Sequence, residues 1–208
     1  MARVNPPASW ANAPESTPTL APGAGTVEAT SPSVAAVAAV LSHRPEFASA
    51  IDKAFEAIYV SPTLPRRLVE LIRLRIAFHN QCRTCMAMRH DAARNDGVTE
   101  GLVCSLEKPE EASDLTDAER AALRFADLFA NDHLAIDDAV YDDLRRYFDE
   151  GELVEIGINC AMDVGMGRLA ATWNLVDDLP EQYRAPERRY GPWDIAEPIL
   201  VGNAHVDN

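Results

Sequence analysis

The hydrophobic pattern of the chain repeats with the period of an α-helix. Over residues 46–60 the apolar positions fall at i, i+4, i+8 and i+11, which is one stripe of a helix. The segment 66–80 is apolar on several faces, so we predict that it forms a central, buried helix. Patterning and capping signals predict further helices over 33–44, 82–97, 116–130, 135–148 and 151–175. Because no stretch alternates apolar and polar residues convincingly, the predicted fold class is an all-α helical bundle.

Proline marks both ends of this helical region. Residues 1–32 hold six prolines among Ser, Thr, Gly and Ala, a composition typical of an extended or disordered arm. Residues 177–208 hold four prolines, too closely set for a long helix, and Trp193 is a candidate apolar anchor there. We therefore predict extended N- and C-terminal arms, 1–32 and 177–208, on either side of one helical domain, 33–176.

Length and charge narrow the classes of function. With 208 residues, 47% of them apolar, the chain is long enough for one domain with a sizeable core. Its formal net charge of −14 disfavours binding to nucleic acid or to anionic membranes, because that binding rests on basic side chains. We find neither an apolar run of ~18 residues nor a signal-peptide pattern, so we predict a cytoplasmic protein without a transmembrane helix.

The candidate chemistry centres on a Cys-x-x-Cys motif, Cys82 and Cys85. The chain has four cysteines, too few for the disulfide framework of a secreted protein. Three residues apart on a helix, the two sulfurs could bridge, and a helix N-terminus favours the reactive thiolate. Such a pair could reduce a peroxide through a sulfenic acid, or exchange disulfides.

Two alternatives to redox chemistry exist for this motif. The pair could be two inert thiols buried in a helical core. It could also belong to a structural zinc site, which needs two further ligands. The remaining cysteines, Cys104 and Cys160, form no second Cys-x-x-Cys motif, so we expect no structural zinc site. We also predict that the protein uses no other metal and no cofactor.

Proton transfer needs a further group, and Glu70 is the first candidate. It lies twelve residues before Cys82 on an otherwise largely apolar face, where burial is expected to raise its pKa and let it relay protons. The chain must then turn near residues 79–81, because twelve residues of straight helix would separate the two by ~18 Å. The alternative is an ion pair of Glu70 with an arginine three or four residues away. The arginines at that spacing are Arg66, Arg67 and Arg73.

Two histidines flank the motif. His79, three residues before Cys82, could orient a water or shuttle a proton, or could simply stand where the helix dipole favours it. His90, five residues after Cys85, is expected on the solvated surface. The segment 66–94 also holds seven arginines against two acids, which would favour a thiolate if the fold gathers them at the motif.

One block of the sequence carries a family signature: Glu70, the segment LIRLRIAFHNQ and then Cys82-Arg83-Thr84-Cys85. It resembles the signature of the carboxymuconolactone decarboxylase / AhpD-like alkylhydroperoxidase superfamily, including the spacing of twelve from the glutamate to the first cysteine. The segments DDAVYDDLRRYF and GELVEIGINCAMDVGMGRLAATWNL are also similar to the family, so that the resemblance covers roughly residues 35–176. It implies an AhpD-like helical bundle that forms homo-oligomers, either trimers, hexamers or dimers.

The resemblance also implies roles for these residues. In the AhpD-like branch the second cysteine, here Cys85, attacks the hydroperoxide, and the first, Cys82, resolves it and exchanges with a thiol reductant. The family commonly has a histidine four residues after the second cysteine, but this chain has Arg89 there and His90 one position later. An arginine cannot act as a base at neutral pH, so the proton relay would rest on the glutamate and the histidine upstream of the motif.

Three functions are compatible with the sequence. The first is a cofactor-free, thiol-dependent peroxidase or disulfide oxidoreductase that acts on a small hydroperoxide with a thiol reductant. Its candidate catalytic residues are Cys85, Cys82, Glu70 and His79. The second is a lactone enzyme of the carboxymuconolactone decarboxylase type, which needs no thiol pair. The third is a non-catalytic helical oligomer whose disulfide senses redox state.

Overall fold

The computed structural model describes residues 2–5, 7, 32–177, 179–185, 189–195 and 197–201. Over these residues the chain is a helical bundle, which confirms the predicted all-α class. The helices are α1 (Pro32–Leu41), α2 (Pro45–Tyr59), α3 (Arg66–Asn80), α4 (Arg83–Ala87), α5 (Asp91–Asn95), α6 (Glu100–Ser105), α7 (Asp117–Asn131), α8 (Asp138–Leu144) and α9 (Glu150–Trp173). Two short strands, β1 (Met88–His90) and β2 (Ile199–Val201), form a parallel ladder that no sequence pattern predicted, because three residues are too few to show a period of two.

Helix α3 forms the centre of the bundle, as its apolar faces predict. It packs chiefly against α9 and α7 and also contacts α2, α4 and α5. Ile72 and Ile76 face the cluster between α3, α7 and α9, whereas Leu71 and Leu74 face a second cluster built around α6. All four side chains are fully buried, and each contributes about 1.5–3 kcal/mol through the hydrophobic effect.

The chain reverses direction directly after α3. Gln81 ends the helix in the left-handed conformation, with φ 51° and ψ 34°, and the N–H of Cys82 donates back to the carbonyl of Ala77. This reversal confirms the turn expected near residues 79–81. The prediction of a single helix over 82–97 is wrong, because the backbone becomes extended at Met88 and pairs with β2 before α5 begins.

Reciprocal capping boxes start two of the longer helices. At α7 the hydroxyl of Thr116 accepts from the N–H of Glu119, whose carboxylate accepts from the N–H of Thr116. This confirms the capping box predicted from the sequence. Asp149 and Glu152 make the same pair of bonds at the start of α9. Each box satisfies two backbone N–H groups that would otherwise lack a partner.

The described residues after α9 dock onto the helices. Strand β2 pairs with β1, and the ring of Trp193 lies 4.8 Å from that of Phe78, which confirms this tryptophan as an apolar anchor. The predicted N-terminal arm, 1–32, lies almost wholly outside the described residues. The described helices include none that is both long and apolar enough to cross a membrane.

Arg89 ties the docked C-terminal segment to the bundle. Its side chain is fully buried, and its guanidinium donates to the carbonyls of Met86 and Pro192, both at 2.7 Å. It also forms an ion pair with Glu100 at 2.9 Å. The arginine at the position where the family commonly has histidine therefore holds two chain segments together.

We expect Arg89→Met to lower the free energy of unfolding by about 1–3 kcal/mol, because two buried carbonyls lose their donor while the length of the side chain is kept. The measurement is urea unfolding followed by circular dichroism. The matched control is Arg94→Met. Arg94 is exposed, and its ion pair with Asp91 is long, at 3.9 Å. We therefore expect this variant to change the free energy of unfolding by no more than about 0.5 kcal/mol. Equal effects of the two variants would contradict a fastening role for Arg89.

Candidate functional site

A cavity of about 100 Å³ lies between α2, α3, α4 and α9, with α1 and β1 closing its sides. Most of its wall is apolar, and it includes side chains such as Phe55, Met88 and Met166. A small polar set interrupts this wall: Tyr59, Arg73, Asn80, Thr84, Cys85, His90 and Asp163. A mostly apolar cavity with a few convergent polar groups is the usual form of a small-molecule site.

Cys82 and Cys85 form a disulfide in this structure, which confirms that their spacing allows a bridge. Cys82 caps α4, where its sulfur accepts the N–H of Cys85 at 3.4 Å, and it is only 1% exposed. Cys85 is half-buried and lines the cavity. The second cysteine of the motif is therefore the one that a molecule in the cavity meets.

Glu70 is buried and accepts four hydrogen bonds. Arg73 donates to both carboxylate oxygens, each at 2.7 Å, in a bidentate ion pair. His90 donates from its backbone N–H at 3.2 Å and from its ring Nδ1 at 2.7 Å. Of the arginines proposed as partners from the sequence, Arg73 is thus the one that pairs with Glu70.

The expectation that burial raises the pKa of Glu70 is wrong in sign. Burial does act to raise it, but the charges and hydrogen bonds of Arg73 and His90 outweigh that effect and hold the pKa well below its usual range. Glu70 therefore remains ionised throughout the neutral range. Its place in the site is that of a fixed negative charge rather than a proton carrier.

His90 is buried beside Glu70, and the expectation of a solvated surface position is wrong. Successive side chains of a strand point to opposite sides, so Arg89 turns toward Glu100 and Pro192 while His90 turns toward α3 and the cavity. A histidine therefore stands at Glu70 although Arg89 occupies the usual family position. Its Nε2 is shielded from solvent and has no hydrogen-bond partner among the described residues.

Sequence reasoning missed Asp163 and Tyr59, which also line the cavity. The Tyr59 hydroxyl donates to Oδ1 of Asp163 at 2.5 Å, across from α2 to α9. Burial raises the pKa of Asp163 to about 7, although the bond from Tyr59 and the charge of Arg73 act to lower it. The sequence did contain a signal for Asp163, because it is the one acid within the largely apolar stretch 156–167. The same kind of pattern identified Glu70 as a candidate.

His79 is not brought to the thiol pair. Its Nε2 contacts Oδ1 of Asp127 at 2.6 Å and its Nδ1 contacts the amide of Asn131 at 3.1 Å. Arg75 pairs with the same aspartate. His79 is not one of the residues that line the cavity, so the structure places this candidate in a separate polar cluster between α3 and α7.

The arginines of the segment 66–94 do not gather around the motif. Arg67, Arg75 and Arg89 pair with carboxylates on α6 or α7, and Arg66 donates to backbone carbonyls at the end of α2. Only Arg73, among the arginines of this segment, lines the cavity, where it also donates to the carbonyl of Cys85 at 2.7 Å. The local positive charge expected from the sequence is thus largely engaged in structural ion pairs.

No group of three or more His, Cys, Asp or Glu side chains within the described ranges is arranged to hold a metal ion. Cys104 is exposed and Cys160 is buried, and both are free thiols. The site that these residues form consists of a thiol pair, a histidine held by an ionised glutamate, and a carboxyl–phenol pair.

Comparison with known proteins links this site to a family. The model of the carboxymuconolactone decarboxylase family matches residues 45–128. An uncharacterized protein of Mycobacterium tuberculosis H37Rv is 37% identical over 89 residues, which are 42% of this chain and 31% of that protein. The matched region thus spans less than a third of that relative's length.

Two solved structures share the fold. A peroxidase-related protein from Ralstonia eutropha JMP134, with an alkylhydroperoxidase AhpD core, gives a TM-score of 0.60 at 20% identity and covers 72% of this chain and 80% of that one. A cysteine-to-alanine variant of the debrominase Bmp8, in complex with 2,3,4-tribromopyrrole, gives a TM-score of 0.61 at 21% identity and covers 88% of this chain and 94% of that one. These similarities confirm the predicted AhpD-like helical fold.

The family match over 45–128 contains Glu70, both paired cysteines and His90, and the fold extends the similarity beyond it. Over residues 45–128 the chain is therefore similar to the carboxymuconolactone decarboxylase family, and its described residues have an AhpD-like fold.

Proposed function

We propose that the protein is a thiol-dependent peroxidase or disulfide oxidoreductase in which Cys85 reacts with a small hydroperoxide. The observation that carries this proposal is the difference in exposure within the pair, because Cys85 lines the cavity while Cys82 is buried at bridging distance. A sulfur that meets substrate, next to a second sulfur that does not, is the arrangement that a peroxidatic and a resolving cysteine require.

The reaction begins with the reduced pair. The Cys85 thiolate attacks the terminal oxygen of the hydroperoxide, the O–O bond breaks, and the leaving alkoxide takes a proton to become an alcohol. Cys85 is then a sulfenic acid. The Cys82 thiolate attacks its sulfur, the S–S bond forms, and the hydroxyl group leaves as water after taking a proton.

We assign to His90 the role of accepting the proton of the Cys85 thiol. A carboxylate can only accept, so the Nδ1 of His90 carries the hydrogen in its bond to Glu70. In the neutral imidazole this leaves Nε2 as an acceptor, and His90 lines the same cavity as Cys85. The fixed charge of Glu70 also stabilises the imidazolium that forms when the proton arrives.

The burial of Cys82 bears on how the disulfide is reduced. The resemblance assigns exchange with the reductant to Cys82, but this sulfur is shielded from solvent. Attack of a reductant thiolate on Cys85 would instead release Cys82 as the thiolate, which the N–H of Cys85 stabilises. A second reductant thiol then frees Cys85 and leaves as the oxidised reductant disulfide.

The cavity wall favours an organic hydroperoxide with an apolar body. Phe55, Met166 and other apolar side chains would contact that body, and the polar groups would meet its peroxide end.

The homo-oligomer, the cytoplasmic location and a decarboxylase-type or purely redox-sensing role remain proposals drawn from the sequence.

The debrominase relative supports a second candidate, reductive dehalogenation of a small aromatic bromide. Its structure holds 2,3,4-tribromopyrrole and aligns with 88% of this chain. The same dithiol could supply the two electrons: the carbon–bromine bond is replaced by carbon–hydrogen, bromide leaves, and Cys82 and Cys85 become the disulfide. Bromide release from 2,3,4-tribromopyrrole with a dithiol reductant measures this activity.

We expect Cys85→Ser to abolish consumption of cumene hydroperoxide with dithiothreitol, because the attacking sulfur is lost. With dithiothreitol removed, reduced Cys82→Ser should still consume about one equivalent and stop as a sulfenic acid on Cys85, which dimedone labelling followed by mass spectrometry detects. The matched control is Cys104→Ser, which removes an exposed free thiol outside the cavity and should leave the rate unchanged. Turnover by the Cys82→Ser/Cys85→Ser double variant on a lactone acid would instead support a decarboxylase.

We expect Glu70→Gln to lower the free energy of unfolding at pH 7 by about 3–5 kcal/mol, because Arg73 is left buried without its counter-ion. The folded-state pKa of Glu70 lies below its ordinary 4.5, so its stabilisation is present above pH 4.5 and is lost as pH falls through the folded value. The difference from wild type, measured by denaturant unfolding across pH, should therefore shrink below pH 4.5. Glu111→Gln, at an exposed ion pair with Lys108, is the control and should change little. A difference that grows on acidification would contradict an ionised Glu70.

A further inference from the structure

Asp163 lines the cavity, whereas Glu70, the other buried carboxyl group of the site, does not. The two also differ in whether a carboxyl oxygen is still without a hydrogen-bond partner. The Oδ1 of Asp163 accepts the Tyr59 hydroxyl at 2.5 Å, but its Oδ2 is shielded from solvent and has no partner among the described residues. Glu70 has both oxygens occupied by Arg73 and His90. Only Asp163, of these two, can take or give a proton without breaking an existing bond.

We propose that Asp163 is the catalytic acid of the cavity, which donates the proton from its Oδ2 to the oxygen that leaves when Cys85 attacks a hydroperoxide. The inference rests on the proposed thiol peroxidase function. Tyr59 acts as a positioning residue, since its hydrogen bond fixes the carboxyl group and leaves Oδ2 as the oxygen that carries the proton. No residue identified from the sequence motif performs this step.

The charges around Asp163 support a carboxyl group that keeps its proton near neutrality. The titratable groups facing it are Tyr59 from α2, Glu70 and Arg73 from α3, Cys85 from α4, His90 from β1 and Cys160 on α9 itself. Burial, helped by the negative charge of Glu70, raises the pKa of Asp163 to about 7 against the opposing effects of Tyr59 and Arg73. A general acid works best when its pKa lies near the operating pH.

With this assignment, each proton that moves when Cys85 reacts with the hydroperoxide has a donor and an acceptor. The thiol proton of Cys85 passes to His90 before attack, and the alkoxide released by O–O cleavage takes the proton of Asp163. The aspartate left behind regains a proton from the imidazolium of His90 or from water before the next turnover. No further oxidant or reductant is needed beyond the hydroperoxide and the thiol reductant already named.

Two substrates with different leaving groups test this step. Cumene hydroperoxide releases a strongly basic alkoxide, which needs a proton, whereas peracetic acid releases acetate, a weak base that leaves without one. We expect Asp163→Asn to slow oxidation of the reduced enzyme by cumene hydroperoxide by about 100-fold, a typical loss for a general acid, and to change the peracetic acid rate by less than about threefold. Stopped-flow intrinsic fluorescence follows disulfide formation in a single turnover.

The pH dependence supplies a second readout. Because Asp163 acts in its protonated form, the cumene hydroperoxide rate of wild type should fall as pH rises above about 7. Asp163→Asn should lose this limb and keep the one at lower pH, which reflects thiolate formation. Tyr59→Phe should keep the limb but shift it, since the bond that holds Oδ1 is gone while the acid remains.

Controls separate this inference from the proposed function and from misfolding. Asp142→Asn, at an exposed surface ion pair, should match wild type with both substrates.

If Asp163→Asn unfolds, infrared spectroscopy of wild type tests whether Asp163 is protonated near neutral pH. We expect the carbonyl band of a protonated carboxyl group to be present at pH 6 and absent at pH 9. In Glu70→Gln the band should disappear at a lower pH than in wild type, because the charge of Glu70 that helps raise the pKa of Asp163 is gone. Equal slowing with both peroxides, or no such band, would overturn the role of Asp163. Failure of wild type to react with either peroxide would overturn the peroxidase function itself, and this role with it.

Discussion

The buried ion pair between Glu70 and Arg73 is the interaction on which the site depends. Removing two charges from water costs several kcal/mol for each ion, and only good geometry with further hydrogen bonds offsets that cost. Here the carboxylate accepts four bonds, and the guanidinium also donates to the carbonyls of Cys85 and Met88. The bonds that stabilise the pair therefore also fix α4 and β1 against α3, so the thiol pair and His90 are positioned by one electrostatic cluster.

The same cluster gives the two buried carboxyl groups, Glu70 and Asp163, different roles. The charges and hydrogen bonds of Arg73 and His90 outweigh burial and hold the pKa of Glu70 low. Burial, helped by the negative charge of Glu70, raises the pKa of Asp163, although Tyr59 and Arg73 act to lower it. Two buried acids of one site thus differ in protonation near neutral pH because their neighbours differ. One can orient a histidine while the other keeps a proton to give.

The parts of the site that follow from local sequence could be predicted, and those that depend on distant contacts could not. The bridging of Cys82 and Cys85 and the reversal after α3 follow from spacing and turn chemistry within a few residues. The burial of His90 depends on β1, whose partner strand lies over a hundred residues later in the chain. The Tyr59–Asp163 bond likewise joins two helices 104 residues apart. In the sequence, Glu70 and Asp163 are each a single acid among apolar residues. Only Glu70 lies near a sequence motif, the Cys-x-x-Cys pair, that suggested a catalytic role for it.

One cavity has to serve both halves of the proposed cycle, because Cys82 is buried and Cys85 is the sulfur that lines the cavity. The hydroperoxide must leave as alcohol before a reductant thiol can approach the same sulfur, and the disulfide is the state in between. The enzyme therefore alternates between a dithiol form and a disulfide form, which requires ping-pong kinetics. At high concentration each substrate also binds the form with which it cannot react and so inhibits the other substrate. It also requires a reductant that can enter a small, mostly apolar cavity, which favours a compact dithiol over a folded partner protein. The burial of one sulfur thus constrains the chemistry of the substrate and of the electron donor together.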